Sequence, residues 1–420
     1  MVEGPRYQKK KMSTSQERLA KTGYSRFFES QTIFLTGSTG SLGGCLLYKL
    51  ALQLPTRKIF VHVRKSPQTA IAKWTRWMPQ QTQAILATGK VHFVVGDMMK
   101  PEFGIEDSAV LERLRNEVTV VIHAAANISF AASVKTAVEY NCLPPLEIAR
   151  MASRFRRLKQ FIQLSTAYVN SFLPDGYVGE QKYSASDDDP EDEIAAVLSS
   201  DSGDVAHSSR FSSTYAYAKY LMERLFAKRY PLLPLLLVRP TIFGAALRDP
   251  YRLYGPPNST PMRKFAEFYL ADHGTQVWHA AEGYKSGSNV LDEISVDFVA
   301  SAVLLHAAAR TQGIVQIGSQ LYAPMTFDDF LELAAANAPP EIRKDLPTVA
   351  FTQDRSVPQH FLAELVKAAT RNWVFDCGRS YWLKQMPGPL SLSVCRHEVD
   401  ALNLARMEEV YRGMRRTVKL

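Results

Sequence analysis

The chain has 420 residues, of which 46% are hydrophobic and 22% are charged. This composition is typical of a globular protein with a sizeable core, and it excludes a disordered or fibrous chain. A formal net charge of +9 suits anionic partners, but phosphorylated small molecules meet that requirement as well as nucleic acid does. Because no RNA- or DNA-binding signature is present, we expect no nucleic-acid partner.

The cysteines, Cys45, Cys142, Cys377 and Cys395, lie far apart in the sequence and form no CxxC pair. Their spacing predicts neither a disulfide framework nor a zinc site, so we expect no metal centre. Free cysteines are typical of a reducing compartment. We therefore expect a cytoplasmic protein, with a peroxisomal location or peripheral membrane association as alternatives. The final tripeptide, residues 418–420, loosely resembles a peroxisomal tail.

Neither the start of the chain nor its most apolar run is typical of a membrane protein. Residues 1–30 carry three consecutive lysines but no apolar segment behind them, so we expect a flexible basic arm and no secretory signal. The apolar run at 232–247 is interrupted by two prolines and an arginine. It is shorter than the ~20 residues that a bilayer-spanning helix needs. It predicts a core strand, and we expect no integral membrane segment.

From Thr32 onwards, apolar runs alternate with segments that can form helices. The run TIFLTG is followed by a glycine-rich turn, a helical segment and the run KIFVHV, which together predict a βαβ unit with parallel strands. Further runs continue the alternation, namely VHFVVG (91–96), VTVVIHAAA (118–126), FIQLST (161–166) and PLLLVRP (234–240). The pattern predicts an α/β fold with a Rossmann-type doubly wound parallel sheet.

The same alternation predicts the domain limits. The doubly wound domain is expected to span residues 31–244, with an acidic, serine-rich and exposed insertion at 187–213 that is a candidate lid. Beyond residue 244 the alternation lapses into loops and helical segments. We expect residues 245–420 to form a smaller, mostly helical substrate-binding region, interleaved with a late sheet strand near 314–318.

The turn after the first strand, TGSTGSLG, has GxxGxxG spacing between a strand and a helix. Glycine lets the backbone turn tightly and approach a pyrophosphate, while the amides at the helix N-terminus point at the phosphates. A purely structural glycine turn is the alternative. The predicted dinucleotide contacts in this turn are Gly37, Thr39, Gly40, Ser41, Leu42 and Gly43.

Arg64 and Lys65 end the second strand, about 20 positions beyond the glycines, where an NAD-specific site carries an acidic residue. A guanidinium there can bind the 2′-phosphate that a carboxylate would repel. The predicted cofactor is therefore NADPH. Solvated surface charges are the alternative interpretation.

The ends of the third and fourth strands supply further candidate cofactor contacts. Asp97, followed by Met98, is placed to meet the adenine edge, and a plain turn is the alternative. Ala124 and Ala125 are small enough for the cofactor to lie against the backbone. The preceding His123 is expected to be a packed core histidine.

Tyr215 and Lys219 are four residues apart and hence lie on one face of a helix, whereas Tyr217 faces elsewhere. An ammonium group beside a phenol stabilises the phenolate and lowers the tyrosine pKa. Tyr215 is therefore the predicted acid that protonates a carbonyl oxygen as hydride arrives. Lys219 is also predicted to contact the cofactor.

Ser165 and Thr166 end the strand before this helix, at the carboxyl edge where such sheets bind ligands. Thr166 is the better candidate to hold the substrate oxygen beside Tyr215. A strand-end hydroxyl that bonds to the backbone is the alternative for Thr166. Asn141 has two equal interpretations, a bond to Lys219 through backbone or water and the cap of a bend.

Together these residues resemble the fatty acyl-CoA reductase and thioester reductase group, the male-sterility-type branch of the extended short-chain dehydrogenases. The resemblance covers about residues 31–320. It implies an NADPH-dependent oxidoreductase, with Thr166, Tyr215 and Lys219 in catalysis. The motifs that carry it are TGSTGSLG (36–43), GDMMKPEFGI (96–105), VIHAAANISF (121–130), STAYVN (165–170), TYAYAK (214–219) and VRPTIFG (238–244).

The resemblance implies reduction of an acyl thioester, held on CoA or on an acyl carrier protein, to an aldehyde and a thiol. A second hydride would give the primary alcohol. One alternative is an extended short-chain dehydrogenase that reduces a free ketone or aldehyde or modifies a nucleotide sugar. Another is a non-catalytic NADPH-binding scaffold.

Overall fold

The computed structural model describes residues 23–129, 132–201, 203, 205, 207–256, 260–365 and 370–417. The strands are β1 (Thr32–Thr36), β2 (Lys58–Val63), β3 (Val91–Val95), β4 (Val120–His123), β5 (Gln160–Leu164), β6 (Gly176–Val178), β7 (Leu235–Pro240), β8 (Ile242–Gly244), β9 (Thr275–His279), β10 (Val290–Leu291), β11 (Glu293–Ser295), β12 (Gly313–Ile317), β13 (Met325–Thr326), β14 (Thr348–Thr352) and β15 (Trp373–Phe375). The α-helices are α1 (Ser25–Phe28), α2 (Ser41–Tyr48), α3 (Pro67–Trp77), α4 (Thr82–Ala87), α5 (Ser108–Glu117), α6 (Val134–Asn141), α7 (Leu143–Ala152), α8 (Pro190–Ser199), α9 (Thr214–Arg229), α10 (Pro261–Leu270), α11 (Val296–Ala308), α12 (Phe327–Asn337), α13 (Pro340–Arg343), α14 (Phe361–Leu365) and α15 (Arg396–Thr417).

The main sheet has seven parallel strands in the order β12-β7-β5-β4-β1-β2-β3. Both faces are covered, which explains why strands such as β1 and β5 are apolar or buried at every position. The strand order reverses between β1 and β4, and the carboxyl ends of these strands flank the crevice in which open α/β sheets bind ligands. The predicted Rossmann-type fold is confirmed.

Separate helices cover the two faces of this sheet. One face packs against α2 and α11, and the other packs against α6, α7 and α9. The late strand β12 lies beyond residue 244 in the sequence, yet it pairs in parallel with β7. The N- and C-terminal halves of the sequence are therefore joined within one sheet.

The region after residue 244 contributes to two cores. A second core, centred on Phe265, Trp278 and Phe327, lies among α10, α12, α14 and α15, with the short parallel pair β9 and β14 beside it. Cys377 and Trp382, by contrast, pack into the core of the main sheet. Among the described residues, no helix is both long and apolar enough to cross a bilayer.

The expected flexible arm at 1–30 is wrong for the residues from 23 onwards, and residues 1–22 lie outside the described part. Tyr24 and Phe28 are buried in the core of the main sheet. The Tyr24 hydroxyl donates to the carbonyl of Pro387 at 3.0 Å and accepts from the amide of Leu390 at 3.1 Å. Aromatic burial outweighs the polar composition of this segment.

The exposed insertion expected at 187–213 is in part a packed helix. Within α8, Ile194 and Val197 are buried against the core that includes α9. Two acidic residues of α8 pair with arginines of α9: Arg229 bonds Glu191 at 2.6–2.8 Å, and Arg224 bonds Glu193. The acidic, serine-rich composition predicted solvent exposure, because composition alone does not show which cations pair with the acidic side chains.

Candidate active site

The glycine-rich turn lies between β1 and α2 and touches the segment that follows β4. Gly37 has φ +77°, and a Cβ there would lie 2.6 Å from the amide nitrogen of Ala125. A Cβ on Gly43 would lie 2.1 Å from the carbonyl oxygen of Gly37. Gly40 caps α2 without a side-chain hydrogen bond. The first amides of α2 therefore have no side-chain cap and form a cradle of the kind that binds phosphate.

Two aromatic side chains that sequence reasoning missed hold this turn. The Trp74 indole donates to the Ser38 carbonyl at 3.1 Å and stacks on Phe93 with ring centroids 5.6 Å apart. The Tyr254 hydroxyl donates to the Ser41 carbonyl at 3.2 Å. These residues are 36 and 213 positions from their partners, so no local spacing reveals them.

An open groove of about 660 Å³ runs along the carboxyl ends of β1, β2, β3 and β4. It brings together most of the predicted cofactor residues, and further residues that the sequence did not single out also line it. The predicted lining residues are Gly37, Thr39, Gly40, Arg64, Lys65, Asp97, Met98, Ala124 and Ala125, and the additional ones include His62, Ser66, Thr69, Lys73 and Tyr140.

Four of the predicted cofactor residues, Ser41, Leu42, Gly43 and Lys219, do not line the groove. Lys219 is buried on α9. The other three form the first turn of α2, where the side chains of Ser41 and Leu42 are buried because α2 lies against the sheet. Only their backbone groups are placed to contribute to the cradle.

One end of the groove is strongly basic. Arg64 and Lys65 are exposed at the end of β2, and Lys73 on the following helix lines the same space. Within the described part of the chain, none of these three cations forms an ion pair. Asp97 lies at another part of the lining, where its carboxylate accepts from the Met99 amide at 3.1 Å.

Two histidines lie beneath the groove in neutral form. Burial lowers the pKa of His62 to about 4, and its ring stands edge-on to Phe103 at 5.1 Å. His123 is fully buried, and its Nδ1 bonds the Thr36 hydroxyl at 2.8 Å. Burial, with the nearby Lys219 charge, holds the pKa of His123 well below its usual value. His123 is thus a core residue, as expected.

Tyr215 and Lys219 lie on one face of α9 beside the end of β5. The Lys219 Nζ donates to the Leu164 carbonyl at 3.0 Å and stands 5.8 Å from the centre of the Tyr215 ring. Lys219 is almost completely buried, and burial lowers its pKa to about 8. The lowered pKa expected for Tyr215 is not found: burial raises this pKa, which keeps the phenol protonated at neutral pH.

Thr166 directly follows β5 and is 6% exposed. Its hydroxyl accepts from the Tyr168 amide at 3.3 Å and so caps the short 3₁₀ helix Ala167–Asn170. This bond to the backbone is the alternative role that the sequence offers for the Thr166 hydroxyl. The bond uses Thr166 as an acceptor, which leaves the hydroxyl proton available for a ligand.

The residue beside Thr166 belongs to a buried charge network that sequence reasoning missed. The Ser165 hydroxyl donates to Glu223 at 2.6 Å, and the Arg239 Nε donates to the same carboxylate oxygen at 3.0 Å. All three side chains are buried, with Arg239 on β7 and Glu223 one helical turn beyond Lys219. The network joins β7 to the end of β5 and to α9, and these last two elements position the predicted catalytic residues.

Asn141 and Tyr217 take structural partners. The Asn141 side chain accepts from the Asn127 amide at 2.8 Å and donates to the Asn127 carbonyl at 2.9 Å. It therefore holds the bend that lines the groove, which agrees with the second interpretation of Asn141. The Tyr217 hydroxyl donates to Glu193 at 2.8 Å. Tyr217 thus faces away from Tyr215, as expected.

Comparison with known families agrees with this geometry. A family model described as male sterility protein, an NAD-binding domain, matches residues 35–303, which is more than half of the chain. The chain belongs to the male sterility protein family. It is therefore an NAD(P)-dependent oxidoreductase with a nicotinamide cofactor.

Named relatives and a solved structure extend the comparison. A probable fatty acyl-CoA reductase of Arabidopsis thaliana is 24% identical over 74% of this chain and 70% of its own length. A putative fatty acyl-CoA reductase of Drosophila melanogaster is 28% identical over 66% of this chain and 52% of its own length. The terminal R domain of the myxalamid PKS-NRPS pathway superposes with a TM-score of 0.62 at 20% identity, covering 91% of each chain. This last similarity concerns the fold.

Proposed function

We propose that this protein uses NADPH to reduce an acyl thioester, carried on CoA or on an acyl carrier protein, to an aldehyde and a free thiol. The observation that supports this most is the position of Tyr215 and Lys219 beside the end of β5, next to Thr166. The relatives named fatty acyl-CoA reductases support the choice of a thioester over a free ketone. The chain spans 70% of one of these relatives and about half of the other.

The preference for NADPH over NADH rests on charge. Arg64, Lys65 and Lys73 line the groove near the end of β2. In an NAD-specific site a carboxylate follows this strand and binds the ribose hydroxyls. Cations bind a 2′-phosphate through charge-assisted hydrogen bonds, and Arg64 can form two of them at once.

The remaining predicted contacts fit a dinucleotide that lies across the turn. Gly37, Thr39 and Gly40 would approach the pyrophosphate, together with the backbone of the first turn of α2. Asp97 and Met98 would border the adenine. Ala124 and Ala125 are small enough for the cofactor to lie against their backbone. A Cβ on Gly37 would clash with Ala125, so the site is shaped by its smallest residues.

In the proposed mechanism the chain positions the substrate carbonyl and moves one proton. When bound, NADPH supplies the hydride that adds to the carbonyl carbon. Tyr215 and Thr166 hydrogen-bond the carbonyl oxygen as negative charge develops on it, and Tyr215 donates its proton to that oxygen. The hydroxyl of the resulting hemithioacetal then returns its proton to the tyrosinate as the C–S bond breaks, which releases the aldehyde and a thiolate. The thiolate takes up a proton from solvent. Lys219 holds the cofactor ribose and stabilises the tyrosinate left behind.

No cysteine has a role in this mechanism. Burial raises the pKa of Cys45, Cys142 and Cys377, so these thiols stay protonated. The hydrogen bond to Glu398 raises the pKa of the exposed Cys395. Because the thiolate is the nucleophilic form, none of the four is activated for covalent acyl transfer.

A panel of substrates tests the proposal. The purified chain would be incubated with NADPH and with acyl-CoA and acyl-carrier thioesters of different acyl lengths, and the loss of NADPH absorbance would be followed. Binding of NADPH would be measured separately by its fluorescence. We expect turnover with at least one thioester. Bound NADPH without turnover on any thioester would overturn the proposal.

A further inference from the structure

The amino edge of the main sheet, opposite the groove, carries a cluster of cations around one exposed leucine. We define the basic edge as Arg156 and Arg157, which precede β5, Leu232, which precedes β7, and Arg310, which precedes β12. Because β5, β7 and β12 are parallel neighbours, the loops before them lie side by side.

Hydrogen bonds hold these loops together. The amide of Phe161 donates to the Pro234 carbonyl at 2.9 Å, and the Gln160 side chain donates to the Thr311 carbonyl at 2.7 Å. Burial, and then the nearby charge of Arg310, lower the pKa of Lys159. The cations of the loops before β5 and β12 therefore lie on one surface, with Leu232 of the loop before β7 between them.

Among the described residues, only one arginine of this surface has a carboxylate within 4 Å. Arg156 has a side chain that is 72% exposed, and its nearest carboxylate oxygen, on Glu112, is 3.7 Å away. In the described ranges, neither Arg157 nor Arg310 forms an ion pair. Arg310 also has φ +51° just after the C-terminus of α11, a position that glycine would occupy without strain. Backbone strain of this kind is consistent with a side chain that is needed for function.

Leu232 is the most exposed of the large hydrophobic residues that the structure describes, at 95%. It stands between Pro231 and Pro234, whose rings restrict the loop. The loop therefore loses little conformational freedom when Leu232 enters an apolar environment. An apolar tip with arginines on the loops at either side is typical of surfaces that bind to the interface of a membrane.

We propose that the basic edge docks on an anionic lipid bilayer, with Leu232 in the interface and Arg156, Arg157 and Arg310 on the headgroups. An acidic carrier protein fits less well, because it would dock at the opposite edge of the sheet from Lys219. Five-residue strands alone separate the two edges by about 17 Å. A carrier bound there would hold its thioester away from the groove, whereas docking on a membrane leaves the groove open.

Vesicle flotation with the full chain tests this surface. Vesicles of phosphatidylcholine with phosphatidylserine would be compared with vesicles of phosphatidylcholine alone. The variants are the triple change Arg156→Gln, Arg157→Gln, Arg310→Gln and the single change Leu232→Ser. A matched control removes three exposed lysines far from this edge, as Lys264→Gln, Lys285→Gln, Lys344→Gln. Thermal melting would verify that each variant is folded.

We expect binding to the phosphatidylserine vesicles only. Each arginine near an anionic surface contributes about fivefold to binding, so the triple variant should lose most of the affinity. Leu232→Ser should weaken binding as well, and the lysine control should bind nearly as the natural chain does. Equal binding to both vesicle types, no binding to either, or a folded triple variant with unchanged binding would overturn the proposal. Unchanged binding by Leu232→Ser would contradict the proposed insertion of Leu232 into the interface.

Discussion

The Nζ of Lys219 donates a hydrogen bond to the main-chain carbonyl of Leu164, 3.0 Å away. The bond ties α9 to the last residue of β5, two positions before Thr166. It therefore keeps the Tyr215 and Lys219 face of the helix in register with the strand end. The Ser165 and Glu223 hydrogen bond makes a second connection between the same two elements.

Replacing Tyr215 by Phe should abolish most turnover and spare cofactor binding. The change removes the proposed proton donor and keeps the ring, so kcat/KM should fall by about 10² to 10⁴-fold. The Kd for NADPH should stay within about twofold, since the phenol is not proposed to hold the cofactor. The measurements are steady-state kinetics and fluorescence titration.

Tyr217→Phe is the matched control for this change. It removes a hydroxyl from the same helix, but that hydroxyl donates to Glu193 away from the proposed site. We expect a loss of about 1.5–3 kcal/mol in the free energy of unfolding, because the lost bond is made to a carboxylate, and nearly unchanged kcat/KM. Equal losses of activity in both variants would show that Tyr215 has no special role.

The activity should decline as the pH rises through about 8. The folded chain holds Lys219 with a pKa lowered to about 8 by burial, so the ammonium that the mechanism requires is lost above that pH. A profile of kcat/KM against pH would show the fall. In Lys219→Arg the charge persists to higher pH, and the alkaline limb should move upward even if the maximal rate is lower. A limb at the same pH in both enzymes would contradict the assignment.

Arg64→Ala together with Lys65→Ala should weaken NADPH binding specifically. Each lost charge-assisted hydrogen bond costs about 1.5–3 kcal/mol, so the KM for NADPH should rise at least tenfold. The KM for NADH should change little, because NADH lacks the 2′-phosphate. Arg76→Ala is the control, since Arg76 lies on α3 but packs over Trp77 instead of lining the groove. Parallel changes for both cofactors would contradict the NADPH preference.

The folded state should lose stability in mild acid because of buried neutral histidines. Burial lowers the pKa of His62 to about 4 and that of His306 to about 3, whereas the unfolded values are near 6.5. The free energy of unfolding is therefore at its full value above pH 6.5. It decreases as the pH falls towards 4, because the histidines of the unfolded state take up protons first. For His62 alone the difference amounts to about 3 kcal/mol.

Urea unfolding at a series of pH values would measure the slope of the free energy of unfolding against pH. His306→Gln should flatten it, because glutamine can keep polar contacts to Thr311 and Ser380 without taking up a proton. His273→Gln, at an exposed histidine, should leave the slope unchanged. An unaltered slope in His306→Gln would contradict the assignment to His306.

The parts of the fold that depend on local pattern could be predicted from the sequence. Alternating apolar runs predicted β1 to β5 and β7, and the glycine spacing predicted the turn before α2. The four-residue spacing of Tyr215 and Lys219 placed both on one helical face, where their 5.8 Å contact lies. These features need only neighbouring residues, because strand and helix periods are short.

Contacts between distant residues could not be predicted in the same way. Trp74 reaches Ser38, and Arg239 meets Glu223 inside the core, where pairing offsets the cost of burial. The packing of α8 depends on cations of α9 that composition alone does not assign. Lys73 was missed because its place in the groove depends on the angle at which α3 leaves β2.

The ratio of thiol released to NADPH consumed tests thioester reduction most directly. A thiol reagent and NADPH absorbance would be followed in one reaction with an acyl-CoA substrate, using the natural chain and Tyr215→Phe. The natural chain should release one thiol for each NADPH when the aldehyde is the product, or one for every two when the alcohol is. Both signals should disappear together in Tyr215→Phe. NADPH consumption without any release of thiol would contradict thioester reduction.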